Sequence, residues 1–457
     1  MTQNRAVRVV ATSARLLAGA IIAVGCVAGV VAAVALPWPG IANEPAQVAV
    51  TPSVGDTTLV CNGSFRAIGR DTQNAQQMSP AGRPDVTVDS NGPREDSELA
   101  VSDMTGDAGG PQRFVGSAEQ GGASLVGAAE SVTIGADDLK GLAASACREP
   151  STESWLVGGT VETGTSDLIV LSNPGDVTST ATVTVFGTEP TSTTTIVPAG
   201  TQLAVPLASV AAGVQQPVVR VTAEGAPLRA VLQSSLIRTL DPSGIDLQDT
   251  VGAPREELTF AGVQVLEPSD DSPVTVLRLM ATGGATEATV TVRTAGEAVK
   301  EMSVPLDAQV PAEVRLAGLE RGVYSVEVEA GEPIVGATWQ VARIGAGSDF
   351  SWMTPAPELN GDVLIAVPKG PNPRLHLVNS ADADTNVTLT STGGGAAEEI
   401  AVPAGGSALV EMNADQTYTM STGAPVHAAV VLAGTDALAG WPVWPSAAAQ
   451  EPITVYP

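Results

Sequence analysis

Few residues in this 457-residue chain are equipped for chemistry. It has two histidines, His376 and His427, and three cysteines, Cys26, Cys61 and Cys147. A Ser-His-Asp triad needs a histidine held by a carboxylate beside an activated serine, and no G-x-S-x-G elbow occurs here. Internal repeats align His376 with Val170 and Arg278, and His427 with Arg229 and Val335. Arg is accepted at both positions, so both histidines are expected to face solvent. A transpeptidase needs a reactive Cys–His pair, whereas Cys61 and Cys147 are better explained by bonding to each other. Asp382-Ala-Asp384-Thr-Asn386 resembles the start of a calcium loop but has Val387 where that loop needs Gly and Gly393 where it needs Glu. It also aligns with Pro174–Thr180, a plain interstrand loop. Asp89-Ser-Asn91-Gly92 with Glu95 and Asp96 reads as a solvated acidic loop. Among 49 acids, carboxylate pairs suited to glycoside hydrolysis arise by number alone, and aromatic platforms for sugars are scarce at 3% of residues. Trp352 and the Trp441-Pro-Val-Trp444 run read as core, the latter as a closing strand packed on the last repeat. No catalytic, cofactor-binding or metal-ligating residue is assigned.

The segment that places these residues is Leu16 to Leu36, which carries no charge. Its 21 residues span roughly 30 Å as a helix, the thickness of a bilayer's hydrocarbon core. Arg5, Arg8 and Arg15 precede it and no basic residue follows until Arg66, which puts the N-terminus inside and the chain from about residue 40 outside. A retained anchor is the preferred reading, with cleavage after Ala33-Val34-Ala35 as the alternative. A lipoprotein reading at Cys26 lacks the large aliphatic residue three positions earlier, and the apolar run continues past it. Only Cys61 and Cys147 are then exported, and two cysteines in an oxidising compartment allow one disulfide.

Net charge is −27, and the first 40 residues hold three Arg and no acid. Such an acidic exported region excludes nucleic-acid binding, which needs clustered Lys and Arg. With 48 Gly, 33 Pro and 44% hydrophobic residues, the composition suits many short strands with tight turns.

The exported region repeats itself. Leu168-Ile-Val-Leu-Ser-Asn173, Ala181-Thr-Val-Thr-Val185 and Ile196-Val-Pro-Ala-Gly200 are matched by Arg374-Leu-His-Leu-Val-Asn379, Asn386-Val-Thr-Leu-Thr390 and Ala401-Val-Pro-Ala-Gly405. Val276-Leu-Arg-Leu-Met-Ala281, Ala288-Thr-Val-Thr-Val292 and Ser303-Val-Pro305 form a third copy. Starts about 100 residues apart indicate duplicated domains rather than a solenoid. Alternating apolar residues, as at Val183/Val185 and Val290/Val292, indicate half-buried strands. The expected architecture is all-β: tandem immunoglobulin-like sandwiches after one N-terminal transmembrane helix. The divisions are 1–15 cytoplasmic, 16–36 anchor, 48–150 a divergent β-rich unit with the disulfide, and repeats at 154–250, 258–345 and 350–447. Asp71 to Gly110 reads as a long loop, and Leu139–Ala146 as a short helix.

Thr58-Leu-Val-Cys61, Gly141-Leu-Ala-Ala-Ser-Ala-Cys147-Arg-Glu-Pro150, Ser154-Trp-Leu-Val-Gly-Gly159 and Leu171-Ser-Asn-Pro-Gly-Asp176 resemble an uncharacterised actinobacterial family of membrane-anchored or secreted proteins. The resemblance implies an extracytoplasmic envelope protein with a paired cysteine and carries no catalytic residues. Many relatives have Pro after the first cysteine, where this chain has Asn62. The reading is a non-enzymatic scaffold or interaction module, without cofactor, meeting the membrane through its N-terminal helix and an envelope protein or glycan through its surface. A calcium- or polysaccharide-binding module and an envelope glycan hydrolase are the alternatives.

Overall fold

The structure, a computed structural model, describes residues 18–28, 48–50, 55–446 and 453–455, except 75, 107–108, 119–123, 271 and 273. The chain forms two compact units, one of Met1–Pro52 with Glu451–Pro457 and one of Ser53–Gln450. In the first, 18–28 is helical and Val48–Val50 pairs antiparallel with Ile453–Val455. The expected cytoplasmic segment 1–15, and residues 16–17 and 29–36 of the expected anchor, lie outside the described residues. No helix among the described residues is long and apolar enough to cross a membrane.

The second unit is all-β, and its repeats share one pairing order. The first repeat has eight strands: Glu153–Val157, Leu168–Asn173, Ser179–Phe186, Thr191–Val197, Thr201–Pro206, Val218–Glu224, Arg229–Arg238 and Asp241–Gln248. One sheet runs first-sixth-third-fourth and the other eighth-seventh-second-fifth, all antiparallel. Ala100–Val101 adds a parallel edge to the second sheet. The second repeat reproduces both orders with Arg255–Val265, Thr275–Ala281, Thr286–Thr294, Glu297–Leu306, Ala312–Arg315, Gly322–Val341 and Phe350–Met353. So does the third, with Glu358–Val367, Arg374–Val378, Thr385–Ser391, Glu398–Val402, Ser407–Glu411, Gln416–Ala433 and Leu438–Pro442.

In these two repeats the sixth and seventh strands are one long strand that serves both sheets. The change of partner falls at Gly331-Glu-Pro333 and Gly423-Ala-Pro425, matched by Gly225-Ala-Pro227 between the separate strands of the first repeat. Proline lacks an N–H, so it fits where the strand leaves one ladder for the next. Phe350–Met353, assigned by sequence to the third repeat, pairs with Thr338–Val341 and so completes the second. Alternation fills each interior with aliphatic side chains, among them Val183, Val185 and Leu171 in the first, Val290, Val292 and Leu277 in the second, and Val387, Leu389 and Leu375 in the third.

Asn173 ends the second strand of its repeat and Asn379 directly follows that of the third, and the two act alike. The Asn173 amide donates to the carbonyls of Val177 and Val197, both at 2.9 Å, and its oxygen accepts the Gly175 N–H at 3.0 Å. Asn379 donates to Ala383 and Val402 at 2.8 and 3.2 Å and accepts from Ala381 at 3.1 Å. Ala281 occupies this position in the second repeat and cannot make the staple.

The N-terminal part is a reduced copy. Thr57–Val60, Gln112–Gly116 and Arg94–Glu98 reproduce the first-sixth-third order. Lys140–Ala146, Val126–Gly135 and Asp85–Ser90 reproduce eighth-seventh-second. Between the third and sixth, Ala100–Val101 is the only strand among the described residues and pairs with the first repeat instead, and the hairpin of Phe65–Ile68 with Met78–Gly82 is inserted. Two expectations are therefore corrected. The stretch 71–110 holds the strands Met78–Gly82, Asp85–Ser90, Arg94–Glu98 and Ala100–Val101 rather than one long loop; its polarity reflects edge positions such as Arg94–Glu98, which is mostly exposed. The Ala-rich segment expected as a helix is the strand Lys140–Ala146, which uses small side chains because it is buried at the centre: Ala143 and Ala144 are fully enclosed.

The four units close on one another. Lys140–Ala146 contacts Asp241–Gln248, which contacts Phe350–Met353, which contacts Leu438–Pro442, which returns to Lys140–Ala146. The last strands of all four units thus surround one axis, and the sandwiches form a ring rather than an extended array. The carboxylate of Asp349 lies there. It accepts the N–H groups of Leu142, Ile245 and Leu438 at 2.9, 3.2 and 3.1 Å, along with that of Phe350. Each last strand contributes one donor. The residues preceding these donors are Gly141, Gly244, Asp349 and Ala437. A Cβ on Gly141 or Gly244 would lie 2.5 or 2.8 Å from the Asp349 oxygen, and both glycines have positive φ, +147° and +109°. Burial raises the Asp349 carboxyl to about 7. Asp246 accepts the Trp352 N–H at 2.8 Å; burial first, then the nearby Asp349, push its carboxyl well above the usual range.

Candidate functional site

The Cys61–Cys147 disulfide joins the ends of the first and last strands of the N-terminal unit, with Cα atoms 4.2 Å apart. Both cysteines are buried. The Glu130 carboxylate accepts the N–H groups of Asn62 and Gly63 at 2.6 and 3.3 Å, and burial raises its carboxyl to about 7. The Asn62 N–H donates here, a bond that Pro at this position would lack. Beside Cys147, Arg148 reaches Asp249 at 3.0 Å and lies 3.3 Å from the centre of the Trp444 ring. Arg229 meets the other Asp249 oxygen at 2.7 Å. These groups are bonded to one another and hold neighbouring units together.

The histidines do not form a reactive site. His376 is buried and its Nδ1 accepts the Gly262 N–H at 2.8 Å, which places its proton on Nε2; burial lowers its pKa to about 4. His427 is half-buried, and its Nδ1 donates to the Ala356 carbonyl at 2.8 Å. Neither hydrogen-bonds to a serine or a carboxylate among the described residues. The expectation of solvent-facing histidines is therefore corrected. Arg229 and Arg278, whose presence at equivalent positions suggested exposure, are themselves 2% and 3% exposed. The outer faces of these sheets are covered by adjoining units, which alternation within a single repeat does not reveal.

The acidic loops are engaged as well. The Asp384 carboxylate accepts the Ala404 N–H at 2.9 Å, and Asn386 donates to Glu399 at 2.9 Å. Asp89 lies on a strand and accepts the Thr417 hydroxyl of the third repeat at 3.0 Å. Arg94 pairs with Asp96 at 2.6 Å. Among the described residues no group of three His, Cys, Asp or Glu is placed to hold a metal. Trp441 lies on the closing strand and is buried in the third core, while Trp444 stacks under Arg148.

A cleft of about 700 Å³ lies between the first and second repeats. Its floor is the outward face of the second repeat's second, seventh and eighth strands. Val276 and Arg278 alternate with the core residues Leu277 and Leu279, and Trp339, Phe350 and Trp352 lie alongside. Arg278 fixes this floor to the first repeat. Its Nη1 donates to the carbonyls of Gly159 and Pro217, each at 2.9 Å; its Nη2 meets Glu313 at 2.7 Å, and its guanidinium lies 4.9 Å from the Trp352 ring centre. The loop after Val157 supplies Thr160, Glu162, Thr163 and Asp167. Asp167 accepts the Thr160 N–H at 2.7 Å, and burial raises its carboxyl to about 6. Trp339 is the partly exposed aromatic, with Arg238 5.9 Å from its ring centre. Trp352 is buried, as its sequence context predicts; Trp339 has no motif of its own, and alternation against Leu277 and Leu279 is the signal that this face points outward.

The second compact unit is thus a closed set of two-layered β units with a polar, aromatic-floored cleft. The chain matches, over residues 101–413, the family of unknown function DUF5719, and it belongs to that family. No curated protein matches it.

Proposed function

We propose that the protein is a non-enzymatic interaction module of the cell envelope, anchored by residues 16–36 with everything from about residue 40 outside the membrane. The observation that carries this reading is the axial Asp349, whose four backbone contacts make one body of four units. A rigid body of that kind holds surfaces in fixed relation, which suits assembly rather than turnover. The buried Cys61–Cys147 bond fits an oxidising compartment. The basic N-terminal flank supports the orientation. We read each unit as an immunoglobulin-like sandwich with exchanged edges: the first strand pairs with the sixth and the seventh with the second, where the ABED/CFG order pairs first with second and seventh with sixth.

A photo-crosslinker at Leu240, 86% exposed at a hairpin tip, tests the role in intact cells. Discrete adducts with envelope components support the reading. Adducts confined to cytoplasmic proteins, or none, contradict it.

A further inference from the structure

We infer that the cleft between the first and second repeats binds an acidic oligosaccharide. The inference rests on the interaction-module reading and names a ligand class for it. The chain has only six Trp, five Phe and three Tyr, yet Trp339, Phe350 and Trp352 line this one recess. Phe350 and Trp352 are buried, while Trp339 is partly exposed, so the pair fixes a floor on which one indole remains accessible. A pyranose ring presents an apolar C–H face that such an indole accommodates, and its hydroxyls need neutral donors and acceptors nearby. Thr160, Thr163, Gln215 and Gln216 supply them.

The charge points to the acidic class. Among the charged groups of the lining, Arg278 and Glu313 pair with each other and Asp167 is buried, which leaves Arg238 and Arg315, in no ion pair among the described residues, against Glu162. The fork geometry of these two guanidiniums matches a carboxylate. Backbone strain marks the same place. Thr239, a β-branched residue on the lining, has φ of +63°, in a region such residues avoid. A pocket of this volume accommodates two or three sugar rings.

The test uses the full chain in detergent with three probes: a galacturonic acid hexamer, a hyaluronan hexasaccharide and maltohexaose. Saturation-transfer NMR and tryptophan fluorescence report binding. At least one uronate probe is expected to bind, about tenfold or more tighter than maltohexaose, with affinity falling about tenfold or more in Trp339→Ala. An Arg238→Gln/Arg315→Gln double variant, altering residues in no ion pair among the described residues, should lose the preference for uronate and decides the matter if Trp339→Ala does not fold. No binding of either uronate, equal binding of maltohexaose, or unchanged binding in the double variant overturns the inference. Failure here with envelope crosslinks at Leu240 intact removes the ligand class and leaves the interaction role standing.

Discussion

The Asp349 carboxylate accepts the backbone N–H of Leu142, 207 residues earlier, at 2.9 Å. It holds Ile245 and Leu438 in the same way, so one side chain of the second repeat satisfies donors from the other three units. Asp349→Ala leaves those three N–H groups buried without an acceptor. Each orphan costs about 1–3 kcal/mol, so a loss of about 3–9 kcal/mol is expected in denaturant titration. Gly244→Ala should also destabilise, since its Cβ would meet Asp349 and Phe350 at a φ of +109°. Wild-type stability in Asp349→Ala would remove the axial carboxylate from the account.

His376 gives the fold an acid-sensitive side. Its pKa, about 4 when folded, lies below the ordinary 6.5 because burial opposes the charge. Its neutral form therefore contributes stability fully above pH 6.5, and this is lost as pH falls through 4. A gap of about 2.5 units corresponds to roughly 3 kcal/mol. Asp349 and Glu130, both raised to about 7, run the other way: their contribution is full below about pH 4 and lost as pH rises through 7. Comparing wild type with His376→Gln isolates the histidine. The variant's melting temperature should fall less between pH 6.5 and 4 than that of wild type; parallel curves would refute the assignment.

The disulfide closes a loop spanning 86 positions. Constraining the unfolded chain over that length is worth roughly 4–5 kcal/mol. A Cys61→Ser/Cys147→Ser variant should melt well below wild type, and non-reducing peptide mass spectrometry of the native protein should recover the linked pair. Free thiols at both positions in protein purified from cells would contradict export.

Calcium should do nothing at Asp382–Asn386. Asp384 already accepts the Ala404 N–H, and Asn386 is bonded to Glu399. The expected result is a melting temperature unmoved by calcium or by chelator. Chelator-sensitive melting that Asp384→Asn abolishes would restore the calcium reading.

Much of the fold is legible in the sequence because its signals are local. Repeated Asn173 and Asn379, each followed about 25 residues later by Val-Pro-Ala-Gly, mark equivalent strands, and Gly-x-Pro at 225, 331 and 423 marks equivalent crossovers. Cys61 and Cys147 are the two cysteines outside the apolar Leu16–Leu36 segment, which left one pairing. What was hidden depends on contacts between units. Gly141-Leu-Ala-Ala reads as helix by propensity but is a strand whose small side chains fit a crowded axis. His376 and Arg278 occupy outward strand positions and read as solvated, yet a neighbouring unit covers both. Asp349 has no signature in its own segment, because its partners lie in three others.

Native-state hydrogen exchange at the amides of Leu142, Ile245, Phe350 and Leu438 tests most directly whether the four units are one body. The account predicts that all four exchange only through global unfolding, with a common free energy and common denaturant dependence. It also predicts that Asp349→Ala accelerates all four together. Distinct opening free energies for the four amides, or exchange of one unit's amide well ahead of the others, would contradict a single locked scaffold.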